Sequence, residues 1–305
     1  MREGLSMRCW IRIAVIAFGV VVLIAGTALA ATPVKVLDTK GAREESGSRI
    51  DGWLTWEQNS KAHPHTFGAY VRPDGGSAVR IPIKGKSNQP ELIQTGPRAG
   101  QVIFQAQGFG NGDIRFYDPN TKTVLKAPRG INTARQEFAP RSDGDYLAFD
   151  RVRANGSWNV MLYQYSTKKL TVIGHNRSVG QVNGDYIALF VCTRTTCNVW
   201  RYQISTKQLK KAPSAPSGRA NYWSGVASDG TLYWVQGSYS KCGIHTKIKQ
   251  ETGTTVTTVL KVPNGIELSS LEARTLTGGA QVLFTRIQCT AAGKISNTGL
   301  FKVSV

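Results

Sequence analysis

Three stretches of this 305-residue chain carry the side chains best suited to holding a ligand. APRGINTARQ supplies Arg129 and Arg135, GHNRSV supplies His175, Asn176 and Arg177, and SGRANYW supplies Arg219, Asn221, Tyr222 and Trp223. Guanidinium forks pair with carboxylate or phosphate, and flat rings stack on sugars. The set therefore predicts recognition of an anionic or sugar-like ligand. The competing expectation is that Tyr222 and Trp223 pack into the core and the arginines are solvated.

Other constellations are weaker. His63 and His65 flank Pro64 and could join Glu57 or Asp74 around a metal, but H-x-H without a third ligand reads more simply as a polar loop. Glu137, Glu267 and Glu272 are the acids nearest the expected loops, with no pair evident for glycoside chemistry. GFGNG at Gly108 lacks the helix of a dinucleotide site, and the G-x-S-x-G elbow of serine hydrolases is missing from the sequence. No cofactor and no catalytic set is expected.

The positioning elements are legible in a repeat. SDGDYLAF, Ser142 to Phe149, recurs as DGWLTW, AGQVIF, NGDYIALF, SDGTLYWV and GGAQVLF, led by Gly52, Gly100, Gly144, Gly184, Gly230 and Gly279 at spacings of 40 to 49 residues. That period is one propeller blade. NVMLYQY followed by STKKLTVI, and NVWRYQI followed by STKQLKKA, add a third and fourth strand closed by a polar turn. A weaker stretch before each unit (134–139, 178–182 and 222–227) supplies a first strand. No amphipathic helix appears, so the expectation is an all-β, six-bladed propeller. The last copy ends on a third strand, GLFKVSV, and PVKVL near the N-terminus has no copy of its own. The latter should complete the last blade and remove two exposed edges. Residues 38–49, rich in charge, Ser and Gly, read as a linker into blade one.

The segment APRSDGDYLAFDRVRANGSWNVMLYQYSTKKL, Ala139 to Leu170, resembles the WD40-like repeat of TolB-type β-propellers, in which a P-D-G turn precedes an apolar strand. Copies four and six depart from it, with Asn183 and Gly278 in place of the aspartate. The resemblance implies the propeller fold and binding or scaffolding roles in the cell envelope. It brings no catalytic residue with it.

The N-terminus combines Arg2, Arg8 and Arg12, an apolar run from Ile13 to Ile24 and an Ala28-Leu29-Ala30 exit, the anatomy of a signal peptide spanning residues 1–30. A retained membrane anchor is the alternative. Residues 31–305 would then form one propeller domain with 35 basic and 18 acidic side chains, a net charge of +17. Dispersed positive charge attracts polyanions over about 8–10 Å. The four cysteines of that domain predict disulfides in an oxidising compartment. Blade geometry favours Cys192–Cys197 across a hairpin tip and Cys242–Cys289 between neighbouring hairpins.

The expectation is a secreted, monomeric, non-enzymatic propeller whose basic loop face binds an anionic envelope polymer, a glycan or an envelope protein. Neither nucleic acid nor a membrane span after cleavage is expected. A glycan-active lyase or hydrolase with its site in the propeller mouth, and a structural assembly platform, are the alternatives.

Overall fold

The computed structural model describes residues 32–39, 42–50, 52–60, 63–83, 85–107, 112–193, 196–237, 247–276, 279–290, 292 and 295–305. These form six four-stranded antiparallel sheets. From the innermost strand outward, blade one contains Ala42–Ile50, Trp53–Ser60, His63–Pro73 and Val79–Arg80. Blade two contains Lys86–Leu92, Val102–Gln107, Asp113–Asp118 and Thr123–Lys126. Blade three contains Glu137–Asp143, Tyr146–Val152, Trp158–Gln164 and Lys169–His175. Blade four contains Ser178–Asn183, Tyr186–Cys192, Cys197–Gln203 and Gln208–Lys211. Blade five contains Ala220–Val226, Leu232–Gly237, Lys247–Thr252 and Thr255–Lys261. Blade six contains Ile266–Leu276, Gly279–Cys289, Ile295–Ser304 and, on its outer edge, the N-terminal strand Val34–Leu37. Val34 pairs with Lys302 and Leu37 with Leu300, so the ring closes as its sequence predicts.

One expectation is corrected. Residues 38–49 are not a linker, because Ala42–Ile50 is the innermost strand of blade one. Glu44 and Ser48 are buried there, and the Glu44 amide donates to Thr298 Oγ1 at 2.9 Å. The stretch looks like a linker because an innermost strand faces a polar channel and carries few of the apolar residues that mark the other strands. The first strand of blade three is likewise shifted: it runs through Ser142 and Asp143, which the repeat places in the turn, and residues 134–136 belong to the preceding crossing.

The repeated turn is built to clamp blades together. Gly144 takes a φ of +58°, a conformation that glycine reaches without a Cβ penalty. Beside it, Asp143 Oδ1 accepts hydrogen bonds from the Thr95 amide at 2.8 Å and hydroxyl at 3.0 Å, while Oδ2 accepts from the Gly184 amide at 3.2 Å. One carboxylate thus joins blades two, three and four. Asp145 accepts from the Ser166 amide at 2.8 Å and Gln164 Nε2 at 2.9 Å, and Asp185 repeats this with Ser205 at 2.8 Å and Gln203 at 3.0 Å. The shared spelling of GDY and YQ-x-ST in blades three and four is therefore one hydrogen-bonded unit.

Apolar clusters fill the spaces between blades. Ile93, Ile103 and Phe116 of blade two meet Leu147, Phe149 and Met161 of blade three. Each large side chain removed from water contributes about 1.5–3 kcal/mol, so neighbouring sheets are held face to face chiefly by burial.

Cys192 and Cys197 are disulfide-bonded and face one another across the hairpin between the second and third strands of blade four. Cys289 is disulfide-bonded, whereas Cys242 lies outside the described residues, as do the 1–30 segment and residues 108–111 of GFGNG. Among the described residues no helix is long and apolar enough to cross a membrane.

Candidate functional site

The six innermost strands share an irregularity. Each loses register with its neighbour at the same level: between Glu45 and Ser48, Asn88 and Glu91, Phe138 and Arg141, Val179 and Gln181, Tyr222 and Ser224, and Ser269 and Leu271. In five blades the bulged residue is not glycine yet has positive φ: Ser46 at 51°, Gln89 at 54°, Ala139 at 49°, Trp223 at 48° and Ser270 at 38°. Blade four places Gly180 there. Bulges re-aim side chains, and backbone held in this region costs about 1–3 kcal/mol per residue. Six in register ring the channel and bound a cavity of about 290 Å³.

Each innermost strand starts at an inter-blade crossing and ends at its S-D-G-type turn, so the cavity, lined by strand starts, occupies the crossing-face half of the channel. Phe138, Phe190 and Trp223 form an apolar collar, with the Phe190 and Trp223 rings 5.7 Å apart. Four blades contribute charge to the same lining: Glu45 and Glu57 from blade one, Glu91 from blade two, Arg141 from blade three and Glu272 from blade six.

The other half of the channel is filled by polar side chains. Arg274, 3 % exposed, donates to Glu91 Oε1 at 3.1 Å, to the Leu92 carbonyl at 2.7 Å and to Glu272. Gln181 bridges blades four, five and six: its Oε1 accepts from the Val226 amide at 3.0 Å and the Ala273 amide at 2.9 Å, and its Nε2 donates to the Ala273 carbonyl at 2.6 Å. The result is a well open on one face and closed by hydrogen-bonded side chains beneath.

Electrostatics in the well are set by burial. Desolvation raises the Glu57 carboxyl from its ordinary 4.5 to about 7, against the Gln89 amide that donates to it at 2.7 Å. Glu45, directly opposite Glu57 on the adjoining strand, is raised by burial too, against the pull of Arg43. Burial likewise pushes Glu91 and Glu272 up, with Arg274 the largest opposing influence. Arg274 stays charged in any protein environment, so it keeps at least one of these two partners ionised. For Glu57 the folded state retains a proton that the unfolded chain has released between 4.5 and about 7, and across this window stability falls as pH rises. Urea midpoints should therefore drop from pH 5 to pH 8, and Glu57→Gln should flatten that slope. An unchanged slope in the variant would show that Glu57 is not the group responsible.

The residues singled out from sequence divide sharply. Trp223, 38 % exposed, lines the well. Asn221 does not: it is buried, donating to the Pro213 carbonyl at 2.8 Å and accepting from Gln236 at 2.8 Å. Tyr222 packs against the core shared by blades five and six. The Arg177 guanidinium lies 5.0 Å from the Trp200 ring centre, and His175 Nδ1 is 2.8 Å from Asn159 Oδ1. Arg129 and Arg135 are exposed and Arg219 half-buried, all outside the well's lining. Glu137 is paired with Arg151 at 2.8 Å. His63 and His65 open a strand of blade one, but their side chains lie outside the described residues. Among the described residues no group of three His, Cys, Asp or Glu is arranged to hold a metal.

Sequence reasoning missed Glu45, Glu91, Arg141 and Arg274; of the well's acids it noted Glu272, and Glu57 only as a possible metal ligand. The available signal was an acid or base within an otherwise strand-like stretch, as in TWEQ, QPEL and LEART.

No protein-family model and no curated protein matches the sequence. Solved structures do. A TolB from Acinetobacter baumannii aligns with a TM-score of 0.52 at 13% identity over 83% of this chain, which spans 64% of that one. A putative TolB from Agrobacterium tumefaciens aligns at 0.56 and 10% identity, covering 86% of this chain and 90% of the other. An oligogalacturonate lyase in complex with manganese aligns at 0.52 and 10% identity, covering 91% and 97%. The chain is thus a six-bladed β-propeller of the kind found in TolB structures. That architecture is shared by TolB and by a lyase, so activity has to be argued from the well.

Proposed function

We propose that this chain is an exported, non-enzymatic binding propeller that captures part of an envelope polymer, glycan or protein in the well on its crossing face. The observation that carries the reading is the well itself: an aromatic collar above buried polar groups, several with no hydrogen-bond partner of their own. Concave sites with an apolar rim and a few convergent polar groups are the usual form of a ligand pocket. The Cys192–Cys197 disulfide supports an oxidising compartment, and the signal-peptide anatomy of residues 1–30 supports export. Exposed Arg129 and Arg135 lie outside the well, where they contribute long-range attraction for an anionic polymer rather than the contact itself.

The test is retention of the protein from residue 31 onward on isolated envelope fractions, at low and high salt. Trp223→Ala should lose about tenfold in affinity through the missing ring. The Arg135, Arg177 and Arg219 triple alanine variant should weaken binding mainly at low salt. If both variants are retained like the wild type, neither the well nor the basic face is the binding site.

A second reading is favoured by one observation: Glu45 and Glu57 sit directly opposite one another and both line the cavity. A carboxyl held at about 7 suits a general acid. Release of reducing ends or unsaturated products from envelope glycans, abolished by Glu57→Gln, would replace binding with catalysis.

A further inference from the structure

The hydrogen-bonding inventory of the well is one-sided. Glu91 Oε2, Glu272 Oε2 and Ser224 Oγ lie on its walls without a hydrogen-bond partner, on residues that are 2 %, 6 % and 1 % exposed, with Glu91 Oε2 3.7 Å from Arg141 Nε. Glu45 and Glu57 add two more carboxyls. Asn88 and Gln89 add carboxamides, each with an unpaired oxygen. The cationic donors are largely committed, with Arg274 Nη1 left unpaired. Arg141, the one cationic side chain in the lining, spends its Nε on the Gly180 carbonyl at 2.9 Å and its Nη1 on the Gln89 and Pro140 carbonyls at 3.2 and 2.8 Å. Arg274 is directed to Glu91, Glu272 and Leu92 beneath. Carboxylates only accept when ionised, whereas an ammonium group has three donors and no acceptor.

A second feature points the same way. Like charges directly opposite one another on paired strands are unfavourable, yet Glu45 faces Glu57 in register. Arg141 acts on Glu57 and Arg43 on Glu45, while Glu91 and Glu272 share Arg274 and Arg141. Four carboxyls against Arg43, Arg141 and Arg274 leave the well short of positive charge, within a chain whose net charge is +19. The rings of Phe138, Phe190 and Trp223 at the entrance present faces that attract cations. An anionic group entering here would meet four carboxyls and an Arg141 already committed to carbonyls.

We propose that the well binds a primary ammonium group, carried by an amine-bearing ligand head of amino-sugar size, with Glu45, Glu57 and Glu91 accepting its hydrogen bonds. This rests on the reading of the well as the binding site and specifies which chemical group enters it. The basic outer face and the acidic well are then complementary to a ligand whose body is anionic and whose tip is a cation.

The experiment is calorimetric titration of the protein from residue 31 onward with glucosamine and with 1,5-diaminopentane. N-acetylglucosamine serves as the uncharged control and glucuronate as the anionic one. Both amines should bind, and glucosamine should bind about tenfold or more tightly than N-acetylglucosamine. The Glu45→Gln and Glu57→Gln variants, nearly isosteric, should each weaken the amines by about tenfold while their thermal midpoints stay at or above the wild-type value, because a like-charge pair has been removed. Equal binding of N-acetylglucosamine, preference for glucuronate, or no binding of either amine would overturn the ammonium assignment. If envelope material is still retained in a Trp223-dependent manner, the well survives as the binding site with a different occupant. If that retention is also absent, both readings fail.

Discussion

Replacing Arg274 by Met should cost the fold about 3–5 kcal/mol, the range observed when one partner of a buried ion pair is removed. The side chain is 3 % exposed and reaches across the channel from blade six to blade two, holding Glu91 at 3.1 Å and the Leu92 carbonyl at 2.7 Å. Its loss leaves Glu91 and Glu272 buried with the more distant Arg141 as their only cation. Urea unfolding at neutral pH measures the loss, and the penalty should shrink at pH 5, where both carboxyls can take up protons. A second variant separates charge from packing. Combining Arg274→Met with Glu91→Gln and Glu272→Gln should recover most of the stability, since no unpaired charge remains. A single variant as stable as the wild type, or a triple variant no better than the single, would show that the ion pairs do not hold the channel.

Gly180→Ala is expected to be almost as damaging, for a steric reason. A Cβ at this position would lie 2.3 Å from the Ser224 carbonyl oxygen and 2.6 Å from its hydroxyl, distances that require the inner strands of blades four and five to separate. Overpacking of this kind costs about 1–3 kcal/mol where neighbours can yield. Here the obstacle is backbone, and the adjacent Gln181 ties its strand to Val226 of blade five and to Ala273 of blade six, so the upper end of that range is expected. The equivalent bulge in blade three predicts the opposite sign. Ala139 has a φ of +49°, a conformation costing an L-residue about 1–2 kcal/mol. Ala139→Gly should therefore be neutral or stabilising by up to about 1 kcal/mol. Thermal melts of the two variants side by side are decisive. Equal destabilisation by both would mean that the bulge ring does not impose these local geometries.

The propeller is legible in the chain because its signals are local. A glycine at positive φ in each turn, alternation in the strand behind it, and the Asp145–Ser166 and Asp185–Ser205 pairings all lie within about 20 residues of one another. They recur because each blade solves the same problem of reversing the chain and burying two faces. The closing strand was legible for a related reason: an unpaired edge at one end of an all-β chain requires a partner, and Val34–Leu37 was the one alternating segment without a blade.

The same logic explains the misreading of residues 38–49. Innermost strands are short of apolar residues where they face the channel, so Glu44, Glu45 and Ser48 look like a solvated linker. Loop composition picked out residues that the structure disperses, with Trp223 alone on the well's lining. Arginines and aromatics in the crossings were visible, yet Arg177 stacks on Trp200, Asn221 is consumed by the backbone and by Gln236, and Tyr222 is packed into the core.

What the sequence by itself determined is the blade: its turn chemistry, its four strands, the number of copies and the face on which the crossings lie. Only the tertiary structure decided the well. Glu45, Glu57, Glu91, Arg141, Glu272 and Arg274 are separated by up to 229 positions in the chain, and no local pattern distinguishes them from other polar residues in strands. They meet because six blades close into one ring with their bulges at one level. Ring closure is a property of the whole chain, so the chemistry at its centre is set only once the last strand has docked.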